Sequence, residues 1–376
     1  MSALDTYLAG FTEEPGFLDY GAFGPMSAAV AAEMDWQREV LARARFGSTA
    51  ALLEQDGRAR AALADALGFR PDQVVLQPNT STALMHAMFG LTGGILLSPA
   101  EFPSLPFAAV RAEQSLSVTA PIWLETDHGR VTPGQIRDQL TSTTVAVAVS
   151  LVDARTGFVA DLEGIRDVIG DRVLVVDAVQ GFGAVDAPLE LADIVAGGGQ
   201  KWLRAGWGTG YLALSDRAVE RLTPVFSGYP GTSEEDVIPW DEVPPPIRAA
   251  AAFRVSGPDP LAAARLAAAV EEVTEVGIPV IAERVAENAL RVIELADEYA
   301  LTVVSSRDPA ERAGIVVLEP DPDQLTALTA ALHNQGVAVT SRQGRVRVAP
   351  HAGTTEDTFA ALRAALTDYA TSGRLR

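Results

Sequence analysis

The sequence predicts an α/β protein whose mainly parallel central sheet is covered by helices, followed by a smaller α+β unit. Three observations lead there. From about residue 50, short apolar runs alternate with segments of helical or loop character. These runs lack polar alternation, as strands buried on both faces do. Beyond about residue 300 the elements become shorter and more mixed, the texture of a second unit.

Apolar residues at helical spacing fill 50–67, and Val74-Val75-Leu76 is a short β-branched run before a helical pattern over 83–91. Further strand-like runs are Ile95-Leu96-Leu97, Ile122-Trp123-Leu124, residues 145–151, residues 173–176, Ile194-Val195 and Tyr211-Leu212-Ala213-Leu214. Residues 226–246 break the rhythm with Gly228, Pro230, Gly231, Glu234-Glu235-Asp236 and Pro244-Pro245-Pro246, and read as an irregular surface excursion. Composition leaves open whether it is a flexible insertion or a substrate lid. The alanines of 249–252 fit helix propensity, and helical patterns over 261–276 and 279–299 follow. The smaller unit is read from strand-like 302–304, 314–318, 337–339 and 346–348 with helical 324–334 and 355–369. No repeat of fixed period is present.

The 376 residues carry 29 Lys plus Arg against 49 Asp plus Glu, a formal charge of −20, and no cysteine. A disulfide framework, Cys-ligated zinc, an iron–sulfur cluster and a cysteine-borne persulfide or thioester are thereby excluded. With 48% apolar and 21% charged residues the chain is globular, and it is long enough for about two domains. The negative charge opposes contact with nucleic-acid phosphates or anionic membranes, so neither partner is expected. Residues 1–16 hold Asp5, Glu13 and Glu14 without a basic start or apolar core, and 145–152, the longest apolar stretch, is far short of a span. A cytoplasmic location is expected. His86, His128, His333 and His351 show no metal-ligand spacing, and no metal is expected.

Three segments carry chemistry. Gln200-Lys201-Trp202 lies between Gly197-Gly198-Gly199 and Gly206-Trp207-Gly208-Thr209-Gly210. Small residues let a planar ligand approach the backbone, and a desolvated lysine amine is neutral enough to attack a carbonyl. The spacing is not the glycine fingerprint of a dinucleotide site. Upstream, the run 173–176 ends in Asp177, with Gln180 three residues on; an acid at such a strand end points into the ligand crevice of an open sheet, although a simple cap would read the same. Asn79-Thr80-Ser81-Thr82, opening a helical pattern, offers hydroxyls and free N–H groups to an anion, or only a helix cap.

In this order the three segments resemble the fold-type I pyridoxal-phosphate enzymes, specifically the class V aminotransferase group with its cysteine desulfurases, kynureninases and epimerase-like members. The lysine signature of the group is nearly matched by Asp193-Ile194-Val195, Gly198-Gly199-Gln200-Lys201 and Gly208-Thr209-Gly210-Tyr211-Leu212. Leu18-Asp19-Tyr20-Gly21-Ala22-Phe23-Gly24-Pro25 resembles the N-terminal segment that enters the site, and Glu101-Phe102-Pro103-Ser104 the loop of the ring-stacking residue. Arg347-Val348-Ala349-Pro350-His351 stands where the group has its substrate-carboxylate arginine. The resemblance spans about residues 17 to 370. It implies a large cofactor domain over 15–276, with 1–14 and 277–376 forming a small domain, and a homodimer with shared active sites.

The resemblance also implies roles. Lys201 would carry pyridoxal phosphate and shuttle the Cα proton, and Asp177 would pair with the pyridine nitrogen. Gln180 would touch the ring hydroxyl, Phe102 would stack on the ring, and Thr80, Ser81 and Gln200 would complete the cofactor pocket. Ser256 would reach the partner's phosphate, and Arg347 would clamp the substrate carboxylate. Three positions depart from the group: Gly198 replaces a common phosphate-binding serine, Gln200 a histidine, and Asp153 or Ala154 an asparagine.

Fold does not choose the reaction, but a desulfurase needs a persulfide-forming cysteine and this chain has none. Among class V relatives it most resembles the C–S lyases of ergothioneine biosynthesis, on residues 18–25, 197–202 and 345–351. That implies cleavage of hercynylcysteine sulfoxide to ergothioneine, with pyruvate and ammonia from the cysteinyl part. Tyr20, Phe23 and Asp153 are candidate walls for its trimethylammonium group. A class V aminotransferase, a kynureninase-like enzyme and a non-catalytic cofactor-binding homologue are the alternatives.

Overall fold

The computed structural model describes residues 2–43, 45–127, 129–233 and 237–373. His128 and Glu234-Glu235-Asp236, singled out above, lie outside the described residues. Three helices, α1 (Ala3–Ala9), α2 (Ala28–Arg43) and α3 (Ser48–Leu67), precede β1 (Val74–Gln77). The alternation expected from the apolar runs follows: α4 (Thr80–Gly90), β2 (Gly93–Leu97), α5 (Ser104–Leu116), β3 (Thr119–Trp123), α6 (Pro133–Gln139), β4 (Thr144–Ser150), α7 (Leu162–Ile169) and β5 (Val173–Asp177). Then come β6 (Ile194–Gly198), β7 (Gly210–Leu214) and α8 (Asp216–Arg221).

These seven strands form one sheet in the order β1-β7-β6-β5-β4-β2-β3, parallel except for β7, which is antiparallel to both neighbours. The two-residue period of a strand sorts the side chains. Leu174 and Val176 enter one apolar cluster with α3, α7 and α9 (Pro260–Val276), while Val173 and Val175 enter another with α4 and α5. Fully burying each such valine is worth about 1.5–3 kcal/mol, so unbroken apolar runs are what a sheet covered on both sides requires.

Beyond α9 lie α10 (Ile278–Glu298), β8 (Thr302–Val303), β9 (Val316–Glu319), α11 (Leu325–Asn334), β10 (Thr340–Arg342), β11 (Arg345–Val348) and α12 (Glu356–Gly373). The four strands make an antiparallel sheet, β10-β11-β9-β8, with a core of its own. The apolar clusters run across the expected bounds at 14 and 276. α1 packs on α9 and its Tyr7 belongs to the larger core, whereas Leu18 belongs to the smaller one. α10 serves both, Ile281 and Val285 facing the larger cluster and Ala289, Val292 and Ala296 the smaller.

Two local readings change as well. The run 337–339 is no strand; Ala338 makes a single bridge to Phe17, and the strand begins at Thr340. The alanines at 249–252 contribute only to a short 3-10 turn, Ala250–Phe253. The excursion that starts at 226 is anchored where it is described: Gly228 N–H donates to the Arg254 carbonyl at 2.9 Å and Ile247 N–H to that of Gly231 at 3.0 Å.

Candidate active site

The carboxyl ends of β1, β4, β5 and β6 open on the same side, the usual ligand crevice of an open α/β sheet. Parallel register sets Asp177, the last residue of β5, beside Ser150 of β4 and Ala196 of β6. From Gly198 the chain turns tightly, with Gly199 N–H donating to the Thr209 carbonyl at 2.9 Å and Ala205 N–H to that of Gly199 at 2.7 Å. This turn holds Lys201 buried at the sheet edge.

Burial lowers the Lys201 ammonium to a pKa of about 8; Asp177 opposes the shift, and Arg347 and Arg342 add to it. Compared with an ordinary lysine, an amine lowered this far supplies far more of the neutral form that attacks an aldehyde. Burial raises the Asp177 carboxyl to about 6, against the Val179 N–H that donates to it at 3.0 Å and the charge of Lys201. A cationic N–H opposite that carboxylate would repay its desolvation. The Lys201 ammonium lies 5.3 Å from the centre of the Phe102 ring, which comes from the β2–α5 connection.

The anion cradle is also in place. α4 is capped by Asn79, whose Oδ1 accepts from Thr82 N–H at 2.9 Å, leaving N–H groups of the first turn free. Thr80 Oγ1 is buried without a hydrogen-bond partner. A Cβ at position 198 would stand 2.8 Å from that oxygen and 2.4 Å from Gln200 Oε1, so glycine is what keeps Thr80 and Gln200 together here. An orphaned hydroxyl, a helix start and an unfilled cradle fit the phosphate of pyridoxal phosphate. Ser81 is exposed and hydrogen-bonded to Ser104 at 2.7 Å. Ser256 lines a cavity of about 390 Å³ with Gln77, Pro78 and Thr82, beside the start of α4.

Arg347 is deeply held. Its Nη1 donates to the Ala154 carbonyl at 3.2 Å, and its Nη2 to Thr340 Oγ1 at 3.3 Å and Asp19 Oδ1 at 3.5 Å, while Nε is buried without a partner. These contacts are long for a guanidinium, which leaves the fork available to a better-placed carboxylate. The Asp19 carboxylate accepts from Thr340 Oγ1 at 2.8 and 2.9 Å. Asp19 and Thr340 were not foreseen: nothing in Leu18-Asp19-Tyr20 sets that aspartate apart, and Thr340 joins it only through the fold.

Three expected residues do other work. Tyr20 is fully buried, its hydroxyl donates to Glu13, and its ring packs on Phe17, Trp202 and His351, so it is core and not a substrate wall. Asp153 Oδ1 accepts from Arg155 N–H, Thr156 N–H and Thr156 Oγ1 at 2.9, 2.7 and 2.8 Å; the carboxylate shapes its own turn and does not await a cation. Gln180 accepts from Trp202 Nε1 at 3.0 Å and donates to the Gly21 carbonyl at 2.9 Å, leaving one amide hydrogen for a ligand. Phe23 remains part-exposed, stacked on Trp207 and touching Phe17.

The N-terminal segment lies against the lysine turn. Gly24 N–H donates to the Gln200 carbonyl at 2.9 Å, and a Cβ on Gly24 would stand 2.1 Å from the Lys201 carbonyl oxygen. Buried Arg204 fastens the segment through the carbonyls of Pro25 and Gly10 at 3.1 and 2.7 Å. His351 is core: Nδ1 accepts from Ala352 N–H at 2.7 Å, so Nε2 donates to the Trp202 carbonyl at 2.9 Å. Glu101, another residue without an expected role, is buried under the site, accepts from Ser150 N–H at 3.2 Å, and is pushed up to about 7 by burial, with Asp153 and Asp177 adding to the shift. Among the described residues no acidic or histidine cluster could hold a metal, and no helix is long and apolar enough to cross a membrane.

Comparisons with known proteins place the chain in a family. The family model described as aminotransferase class-V matches residues 42–375. A probable cysteine desulfurase of Aeropyrum pernix is 30% identical over 297 residues, 71% of this chain and 69% of that protein. An uncharacterized aminotransferase of Bacillus subtilis, YcbU, is 23% identical over 310 residues, 80% of each chain. The solved structure of the cystine C–S lyase C-DES with its product cysteine persulfide aligns at a TM-score of 0.83 and 18% identity, covering 94% of this chain and 98% of that one.

Proposed function

Since the chain belongs to the class V aminotransferase family, we propose that it is a pyridoxal-phosphate-dependent lyase that cleaves the Cβ–S bond of an S-substituted cysteine sulfoxide. Hercynylcysteine sulfoxide is the substrate it fits best. The sulfur leaves as a sulfenic acid, which an external thiol reduces to ergothioneine, and the remaining aminoacrylate hydrolyses to pyruvate and ammonia. The observation that carries this reading is a desulfurase-like site in a chain without cysteine: nothing on the polypeptide can accept sulfur, so it must leave with its substituent. A relative named for desulfuration and a structural neighbour named as a C–S lyase support it.

When bound, the cofactor ring accepts the electron pair left at Cα as the proton departs. The chain supplies the rest. Lys201, lowered to about 8 by burial, would anchor the cofactor, take the Cα proton and pass it to the departing sulfenate, which leaves as the sulfenic acid. Asp177 holds a proton on the ring nitrogen, Thr80 and the first turn of α4 bind phosphate, and Phe102 covers the ring. Arg347 exchanges its long contacts to Asp19 and Thr340 for the substrate carboxylate. Phe23 and Trp207 offer aromatic faces at the rim to the trimethylammonium group, which a separate carboxylate accompanies in the hercynyl moiety. A homodimer, with Ser256 reaching the partner's phosphate, and a cytoplasmic location belong to the same reading.

The test is pyruvate release from a panel of cysteine S-conjugates and their sulfoxides without added keto acid. Release that vanishes in Lys201→Ala is expected. Turnover only with a keto acid, yielding a new amino acid, would establish the aminotransferase alternative, and cofactor binding without any turnover the non-catalytic one.

A further inference from the structure

We propose that Arg342 is a second recognition cation, which selects substrates whose sulfur substituent carries an anionic group; this rests on the elimination reading above. In the β10–β11 hairpin Thr340 lies opposite Arg347 and Arg342 opposite Arg345. Directly opposed residues of an antiparallel pair share a face, so all four stand on one side. That side faces the site, because Thr340 binds both Asp19 and Arg347 there. The inward neighbours on the other side, Val346 and Val348, are core.

The two arginines beyond Arg347 differ. Arg345 Nε donates to Glu319 at 2.8 Å and is spent. Arg342 is exposed and forms no ion pair among the described residues, yet its charge is felt at Lys201, Arg347 and Asp19. It lies two residues along the strand from Thr340, a step of about 7 Å. A substrate clamped by its α-carboxylate at Arg347 would have this second cation, without an ion pair among the described residues, on the same face of the hairpin. Asp19, whose charge both arginines feel, is already held by Thr340 and Arg347. The remaining charge calls for an anion on the substrate.

The experiment compares S-(2-carboxyethyl)-L-cysteine sulfoxide with its isosteric amide on the cofactor-loaded enzyme. A charged hydrogen bond at a half-exposed site corresponds to about a tenfold preference in kcat/KM for the acid. Arg342→Gln should bring the ratio to within about twofold of unity, Arg342→Lys should keep part of it, and Arg345→Gln should leave it as in the parent. An equal rate on both compounds in the parent, or an unchanged ratio in Arg342→Gln, overturns the proposal. Absence of pyruvate from both compounds overturns the elimination reading instead. Calorimetric affinities of the same two compounds then decide on Arg342 by the same ratio, and equal ratios in parent and Arg342→Gln again overturn it.

Discussion

A single glycine governs the phosphate end of the site. Gly198 leaves room beside it for Thr80 Oγ1 and Gln200 Oε1, which a Cβ would approach to 2.8 and 2.4 Å. Gly198→Ser, which restores the residue common in the group, should therefore displace Gln200 and weaken cofactor binding by about tenfold, a cost near 1.4 kcal/mol, as equilibrium dialysis would show. At the opposite end of the ring, Asp177→Asn cannot hold the ring nitrogen's proton electrostatically. Turnover should fall by about 100-fold or more while the cofactor's visible absorbance is retained. Both Lys201 and Asp177 were legible in the sequence, since a lysine amid glycines and an acid at a strand end are local patterns. Asp19, Thr340 and Glu101 were not: each acquires its role from a partner 49 or more positions away.

At the scale of elements, the N-terminal segment shows where sequence reading fails. Tyr20 and Phe23 lie in one short motif, but the backbone turns one ring into the core and leaves the other part-exposed. Aromatic identity carries no sign of that direction. Tyr20→Phe should consequently leave KM within about twofold while costing about 1–2 kcal/mol in urea denaturation, because Glu13 loses its donor. α4 makes a complementary case. Its His86 is buried with both ring nitrogens unpartnered, edge-on to Phe226 and Phe253. Burial holds its pKa at about 4, below the value near 6.5 of an unfolded chain. Between those values the unfolded state binds a proton that the native state refuses, so this stability is present above pH 6.5 and lost toward pH 4. His86→Phe removes the dependence. The variant's advantage over the parent in urea midpoints should grow by about 3 kcal/mol from pH 7 to pH 4. Taking the difference between the two proteins cancels the opposing contributions of Asp177 and Glu101, whose raised pKa values favour the native state as pH falls.

For the whole molecule, the alternation of runs fixed the sheet because unbroken apolar strands have one solution, coverage on both faces. The boundary between units escaped, since α10 is a single helix whose two halves enter different cores. Its amphipathic pattern is continuous, and only the partners change. Ligand linkage acts on this assembly as one body: pyridoxal phosphate at about 100 times its Kd should add about 2.7 kcal/mol of stability. Thermal melts of loaded and stripped protein should separate accordingly, and by much less in Lys201→Ala.

The bond from His351 Nε2 to the Trp202 carbonyl joins the residue after the lysine to the stretch after the arginine strand. Asn288 of α10 in turn donates to the His351 carbonyl at 2.8 Å. In the proposed reaction the two ends of the amino acid, its amine at Lys201 and its carboxylate at Arg347, would be gauged against stretches that these bonds tie together. On the proposed reading, such a caliper would tolerate variation in the side chain but not in the span between amine and carboxylate, favouring α-amino acids over longer analogues.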